Sequence, residues 1–243
     1  MRRTQVTFDG CELTSLFAVS DLQAPLLPRT LDSMAVPGHD GSLLAGVRLA
    51  PRSIKLRLTV LDKTIEGRQA ASRMLASILA VSEPKPLALS IDEGLWYLAM
   101  PNATAKGDRY RNAITYDVEF VANDPVAYGA QKVVTVPSGG SVTFNVGGTY
   151  HTMPLVSAPA AANGTGGFWR LRLDDGSYLL ATVPGGVSTA SVVADCERRT
   201  LKVGGATALL VPAADWLVLE PGERTLQMTG TGAATVTYYE RWV

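Results

Sequence analysis

The sequence predicts two folds in tandem: an α+β domain, mostly antiparallel sheet with one helix, followed by an all-β sandwich of jelly-roll type. Three observations carry this. Only Asp62 to Val81 has convincing helical periodicity, and it sits among short runs of alternating apolar residues. After Val136, clusters of Gly, Pro and Asn recur at short intervals with no helical stretch between them. The two regimes meet at a sharp stop, Asn123-Asp124-Pro125, beyond which residues 133–169 hold no Asp, Glu, Lys or Arg. Proline has no amide hydrogen to continue a ladder, so a strand should end there. The main division is placed just after Tyr128, giving domains over 1–130 and 131–243.

In chain order, Thr4 to Phe8 reads as a short strand turned by Asp9-Gly10, and Leu13 to Val19 as a second. Pro25, Pro28, Pro37 and Gly38 make Ala24 to Asp40 a loop or extended arm. Ser53 to Leu61 is a clear strand, with Ile54, Leu56, Leu58 and Val60 on one face and Lys55, Arg57 and Thr59 on the other. Lys55 and Arg57 read either as solvated edge charges that discourage unwanted pairing or as a contact to a partner subunit. In the helix, Asp62 or Thr64 can cap and Glu66 favours the positive end of the dipole. Ala71, Met74, Leu75, Ile78 and Leu79 form its apolar stripe, a core face rather than a cofactor box. The helix stops before Pro84. Leu87 to Ile91, the turn at Asp92-Glu93-Gly94 and Leu95 to Met100 form a hairpin. Pro101 to Arg111 is a charged loop. Ile114 to Ala122 alternates strictly and closes the domain.

The second half offers about ten short strands: 141–145, 155–158, 168–173, 178–183, 191–194, 200–203, 208–211, 216–219, 225–229 and 235–239. Fifteen of the 23 glycines lie in this half, as a sheet built on tight turns requires.

The composition excludes several classes. The formal net charge is 0, from 22 basic and 22 acidic residues, which leaves no basic footprint for nucleic acid or an anionic membrane. Cys11 and Cys196 lie in different halves and read as two buried free thiols, not as a disulfide or zinc site. Met1-Arg2-Arg3 leads into a polar segment, not a secretory leader, and no apolar run is long enough for a membrane span. His39 and His151 belong to no metal-ligand pair, and neither a Gly-x-Ser-x-Gly elbow nor a phosphate-cradling Gly-rich loop ending in Lys-Ser/Thr is present. The acid pairs Asp92-Glu93 and Asp174-Asp175 sit at turns. Trp169, Trp216 and Trp242 read as core residues before sugar platforms, and Asn163-Gly164-Thr165 is a glycosylation acceptor only on a secretory route. No catalytic residue, metal or cofactor is expected.

The order of elements and the wording of several motifs resemble the distal tail protein family of long, non-contractile-tailed bacteriophages. The strand-helix stretch from Arg52 to Val81 carries part of the likeness, and so does the pair of strands from Pro86-Leu87 to Trp96-Tyr97. The most specific motif is Phe120-x-x-x-Asp124-Pro125-x-Ala127-Tyr128, which in that family marks the exit from the N-terminal domain. In the second half, Ala194-Asp195-Cys196-Glu197 with Arg199-Thr200-Leu201 and Gly204-Gly205 is similar to the family's central hairpin. Leu219-x-Pro221-Gly222-Glu223 is similar to its late turn, and Tyr238 to Trp242 to its ending. The resemblance implies that the second half is a galectin-like sandwich and that the chain is no enzyme. It implies a hexameric ring at the distal end of the virion tail, built by the N-terminal domains and made in the host cytoplasm. One face would meet the tail tube protein, the other the tail hub protein, and DNA would pass the lumen without specific binding or a membrane anchor. A host-surface glycan stays open as a further partner. The rival reading is a carbohydrate-binding, lectin-like module.

Overall fold

The computed structural model describes residues 4–243 except 27, 39, 111, 112, 163–167 and 184–187. The chain falls into two compact units, one ending at Tyr128 and the other spanning Gly129–Trp242.

The first unit opens with β1 (Val6–Phe8) and β2 (Cys11–Glu12), turned by Asp9 and Gly10 at positive φ of 49° and 75°. A 3-10 turn leads to β3 (Phe17–Gln23), β4 (Arg29–Ala35), β5 (Ser42–Leu49) and β6 (Arg52–Val60). Helix α1 covers Ile65–Leu79, then come β7 (Lys85–Leu89), β8 (Trp96–Tyr110) and β9 (Ala113–Ala122). The helix starts where its cap dictates: Thr64 Oγ1 accepts from the Gly67 amide at 3.0 Å, and Asp62 fixes Thr64 from behind. Of the expected stripe, Ala71 and Leu75 are buried but Met74 is exposed, so the seated face is narrower than the spacing implied. Tyr116 of β9 donates its hydroxyl to Ser72 and joins helix to sheet.

Strand β8 changes partner along its length. Its start pairs with β7 (Leu87↔Tyr97), and from Met100 onward it pairs with β9. Residues 101–110 are therefore strand, not the loop expected from their charge. Pro101 is accommodated because the register shifts beside it. On the other side of β9 the order continues to β6 and then β3. Strand β6 is thus paired on both edges, and Lys55 and Arg57 are not edge charges. The core here is Val6, Phe8, Leu13, Phe17, Ile54, Leu56, Leu58, Leu87 and Phe120, all at most 2% exposed.

Strand β10 (Ala127–Val136) begins two residues after Pro125, because one proline interrupts a strand without preventing the next from starting there. The second unit continues with β11 (Ser141–Val146), β12 (Leu155–Ala161), β13 (Phe168–Leu173), β14 (Tyr178–Thr182), β15 (Ala190–Asp195), β16 (Thr200–Val203), β17 (Ala206–Ala208), β18 (Gly222–Thr229) and β19 (Ala234–Trp242). One sheet runs β17-β16-β15-β12-β19-β10 and a second runs β11-β18-β13-β14. Their inward residues, among them Val156, Trp169, Leu171, Val192, Leu226 and Val236, form one apolar cluster. Gly232 is obligatory: at φ 92°, a Cβ there would lie 2.1 Å from the Ala160 carbonyl oxygen.

Several expected strands differ. The run at 208–211 leaves the sheet after Ala208. Residues 216–219 form no strand: Leu217 and Leu219 are buried, but the only sheet-like pairing is the two-way bridge of Leu219 with Thr152. The expected turns at 163–167 and 184–186, the sequon at Asn163 and the residue His39 lie outside the described residues. Cys196 is buried, its thiol pushed up to about 12 by desolvation, whereas Cys11 is exposed, contrary to expectation.

Candidate assembly surface

The stretch 24–40, expected as a loop or extended arm, contains β4, which forms a hairpin with β5 beyond it. Strands β4 and β5 pair from Arg29↔Leu49 to Ala35↔Ser42, with one extra residue in β5 opposite the step from Asp32 to Ser33. They form a two-stranded sheet of their own and join no other strand among the described residues. Pairing puts Leu31 beside Val47, Ser33 beside Leu44 and Met34 beside Leu43. Leu31, Met34, Leu43, Leu44 and Val47 are each more than half exposed. Strand alternation puts Leu31, Leu44 and Val47 on one face, while Met34 and Leu43 lie on the other with Arg48 and Asp32, which are 3.5 Å apart and both solvated. A lone two-stranded ribbon is marginal in water, and an apolar strip of this kind marks an interaction surface.

The root of the hairpin, by contrast, is clamped. The Ala50 amide donates to the Pro28 carbonyl at 3.0 Å. Arg52, only 5% exposed, donates through Nη2 to the Leu26 carbonyl at 2.9 Å and through Nη1 to the Tyr97 hydroxyl at 2.7 Å. Tyr97 passes the bond on to Asp92 Oδ2 at 2.8 Å, and the guanidinium sits 4.8 Å from the Tyr97 ring centre. Burial, then the Asp92 bond, push the Tyr97 hydroxyl up to about 12. The turn acid Asp92 is therefore a structural acceptor. Nothing in the residue order announced this clamp; a lone Arg opening an apolar strand was the one available sign.

The outer face of the β3-β6-β9 sheet is a lattice of opposite charges. Arg57 grips Asp117 in a fork, Nε to Oδ1 at 2.7 Å and Nη2 to Oδ2 at 3.3 Å. That bond holds the Asp117 carboxyl below its ordinary range. Ser53 and Asn102 donate to Glu119, whose pKa is lowered chiefly by the Ser53 bond. Lys55 pairs in register with Glu119 and Gln23. Asp21, Gln23, Lys55, Arg57, Asp117 and Glu119 line an open depression.

The junction residues fall into two places, Phe120 in the core and Asp124 to Tyr128 in the turn after β9. Phe120 is fully buried, its ring centre 4.9 Å from that of Phe8. Asp124 accepts from the Val126 amide at 3.3 Å and from the Tyr128 hydroxyl at 2.6 Å, closing a loop around Pro125. Tyr128 stacks on Trp96 with ring centres 4.6 Å apart, and Ala127 is buried beside it. Asp124 and Tyr128 thus close a hydrogen-bonded turn around Pro125, while Phe120 packs in the core of the first unit.

No group of three or more potential metal ligands occurs among the described residues. His151 stacks on Tyr150, Asp175 caps its own turn through Ser177, and Asp174 accepts from the Thr225 amide. Trp169 fills the core, as expected. No helix among the described residues is long and apolar enough to cross a membrane.

Comparison with known proteins agrees with this architecture. Residues 11–122 match the model of a phage tail protein RIFT-related domain, and residues 147–242 that of a siphovirus-type tail component, C-terminal domain. No curated protein matches by sequence. Among solved structures, SPP1 Dit, presented as a paradigm of the hub adsorption apparatus in phages infecting Gram-positive bacteria, superposes with a TM-score of 0.81 at 20% identity over 100% of both chains. A chain of the phage p2 baseplate in its activated conformation with strontium gives 0.56 at 10% identity, covering 98% of each chain, and its calcium form gives 0.53 with the same identity and coverage. Two tail-component domains matched in order, on a fold shared with SPP1 Dit, make this chain a member of the siphovirus distal tail protein family, a virion protein of the phage tail.

Proposed function

We propose that this protein builds a hexameric ring at the distal end of the tail, joining the tail tube to the hub and leaving a channel for DNA. The domains over 1–130 form the ring and the sandwich over 131–243 projects from it. The observation that carries the reading is the β4–β5 hairpin: a ribbon with an exposed apolar strip on a rigid root. Its natural cover is a second copy of this chain. An arm that docks on a different part of its neighbour makes a head-to-tail contact, and such contacts close into rings when the rotation permits. The charge lattice around Lys55 and Arg57 supplies a second surface with both signs in fixed register, suited to setting the angle between copies. The corner at Asp124, Pro125 and Tyr128 holds the exit of the chain from the ring. A formal net charge of 0 suits a conduit through which DNA passes without being gripped.

The test is light scattering on the purified chain. We expect the mass of six chains, alone or once tube and hub proteins are added. The double variant Leu31→Glu with Val47→Glu should run as a monomer that still unfolds in one cooperative transition, without the concentration dependence that assembly gives the parent. A variant that assembles like the parent, or a parent that stays monomeric with both partners present, would overturn the reading.

A further inference from the structure

The outward face of the β11-β18-β13-β14 sheet holds two arginines that the assembly reading does not use. Arg170 and Arg172 are two apart on β13, so both project from one side, about 7 Å apart. The inward residues between and beside them, Trp169, Leu171 and Leu173, are buried. Register places Arg172 between Gln227 of β18 and Tyr178 of β14, with Ser141 of β11 next beyond Gln227. It places Arg170 between Thr229 and Leu180. Arg170 is half-buried and already oriented: Nη2 donates to Thr229 Oγ1 at 3.3 Å, and its guanidinium carbon lies 5.9 Å from the Tyr178 ring centre. Neither arginine forms an ion pair among the described residues. The acid on this side of β18, Glu223, lies four residues beyond Gln227, opposite Asn145.

We infer that this face binds a polysaccharide carrying anionic groups. Two planar, permanently charged forks whose cross-strand neighbours are all neutral call for anions, and a guanidinium recognises carboxylate or phosphate with two parallel bonds. The spacing of the pair along one strand suits charges that repeat along a polymer, and the flat face suits a chain laid across it. The surroundings choose a glycan over a protein. Ser141, Gln227 and Thr229 present hydroxyl and amide groups that can exchange bonds with sugar hydroxyls, and the half-buried Tyr178 ring offers an apolar side to a sugar. Protein interfaces are instead depleted in serine and centred on apolar anchors; here the outward apolar residues Phe168 and Leu180 stand only on the β13-β14 side, while β18 and β11 present Gln227, Thr229, Thr225, Thr143 and Ser141. Because Arg170 is held in place beforehand, little ordering is needed on binding.

The test measures binding of the full chain by interferometry to immobilised polygalacturonate, neutral dextran and polyglutamate. The expected result is salt-sensitive binding to polygalacturonate, none to dextran, and at least about tenfold weaker binding to polyglutamate. Arg170→Gln with Arg172→Gln should lower polygalacturonate affinity by about tenfold or more, since hydrogen bonds to a charged group are lost. Should the double variant fail to fold, exposed Arg172→Gln alone decides, with a loss of about threefold or more. No binding to polygalacturonate, equal binding to polyglutamate, or unchanged affinity in the folded variant overturns the inference. The variant Leu31→Glu with Val47→Glu should still bind, so failure of the ring leaves this result standing.

Discussion

Strands β4 and β5 and strands β13 and β14 are both antiparallel pairs of similar length, yet they put their apolar residues to opposite uses. In β13, Trp169, Leu171 and Leu173 alternate with Phe168, Arg170 and Arg172, and the first three go into the core. In the β4–β5 hairpin no described residue is buried, although Leu31, Leu44 and Val47 are as apolar as anything in β13. The difference is what lies opposite. Strand β13 is flanked by β18 and β14 and faces a second sheet, so its alternation closes a sandwich. Among the described residues no other strand joins the hairpin, and Leu31 and Leu44 stay exposed. Alternation alone therefore identifies a strand with a greasy side; whether that side makes a core or a contact depends on tertiary neighbours.

The comparison can be broken most sharply at Trp169. Trp169→Ala should cost about 3–5 kcal/mol in urea unfolding, the usual range for emptying a large buried aromatic site. Leu31→Ala should change chain stability by no more than about 0.5 kcal/mol. Equal losses would mean that the hairpin is packed against its own unit after all.

The clamped root comes next. Tyr97→Phe removes the hydroxyl that bridges Arg52 and Asp92, and should cost about 2 kcal/mol by the same assay. It also has a pH signature. The folded state keeps the Tyr97 proton up to about 12, above the ordinary 10, so its stabilisation is whole below pH 10 and is lost as pH rises toward 12. Cys196 in the other unit works in the same direction, from its ordinary 9 up to about 12. Alkaline weakening of the parent should thus be partly relieved in Tyr97→Phe, with Cys196 and the burial-raised Tyr238 hydroxyl among the groups that carry the rest. A variant with the parent's full pH dependence would remove Tyr97 from the account.

The smallest effect belongs to Arg57. Arg57→Ala should cost the isolated chain at most about 1 kcal/mol, less in high salt, because the Asp117 pair is solvated. Charge reversal, Arg57→Glu, should nevertheless weaken assembly in light scattering. Unchanged assembly would confine this pair to a local role.

The sequence made the single helix, the strands β6 and β9 and most of the second sheet legible, because each has a strong period and a clear stop. It missed what depends on partners far along the chain. Pro25, Pro28, Pro37 and Gly38 suggested a loop, yet they lie outside β4 and β5 and only bound the ribbon. The charge of 101–110 hid the second half of β8, which is held by backbone pairing with β9. Residues 216–219 look like a strand because Leu217 and Leu219 are buried, but only Leu219 finds a backbone partner, in Thr152. For the candidate surface, the junction motif was readable as a motif, whereas the hairpin that carries the proposal could be recognised only once its leucines were seen to have nothing above them.

That uncovered ribbon also sets a clock on the free polypeptide. On the proposed assembly, its leucines and valine are, before a neighbour covers them, as available to a wrong companion as to the right one. Production in bursts, with many copies released close together, would favour correct capture over clumping. Rescue of a sluggish preparation should then come from raising the supply of matching parts and not from lowering the temperature alone.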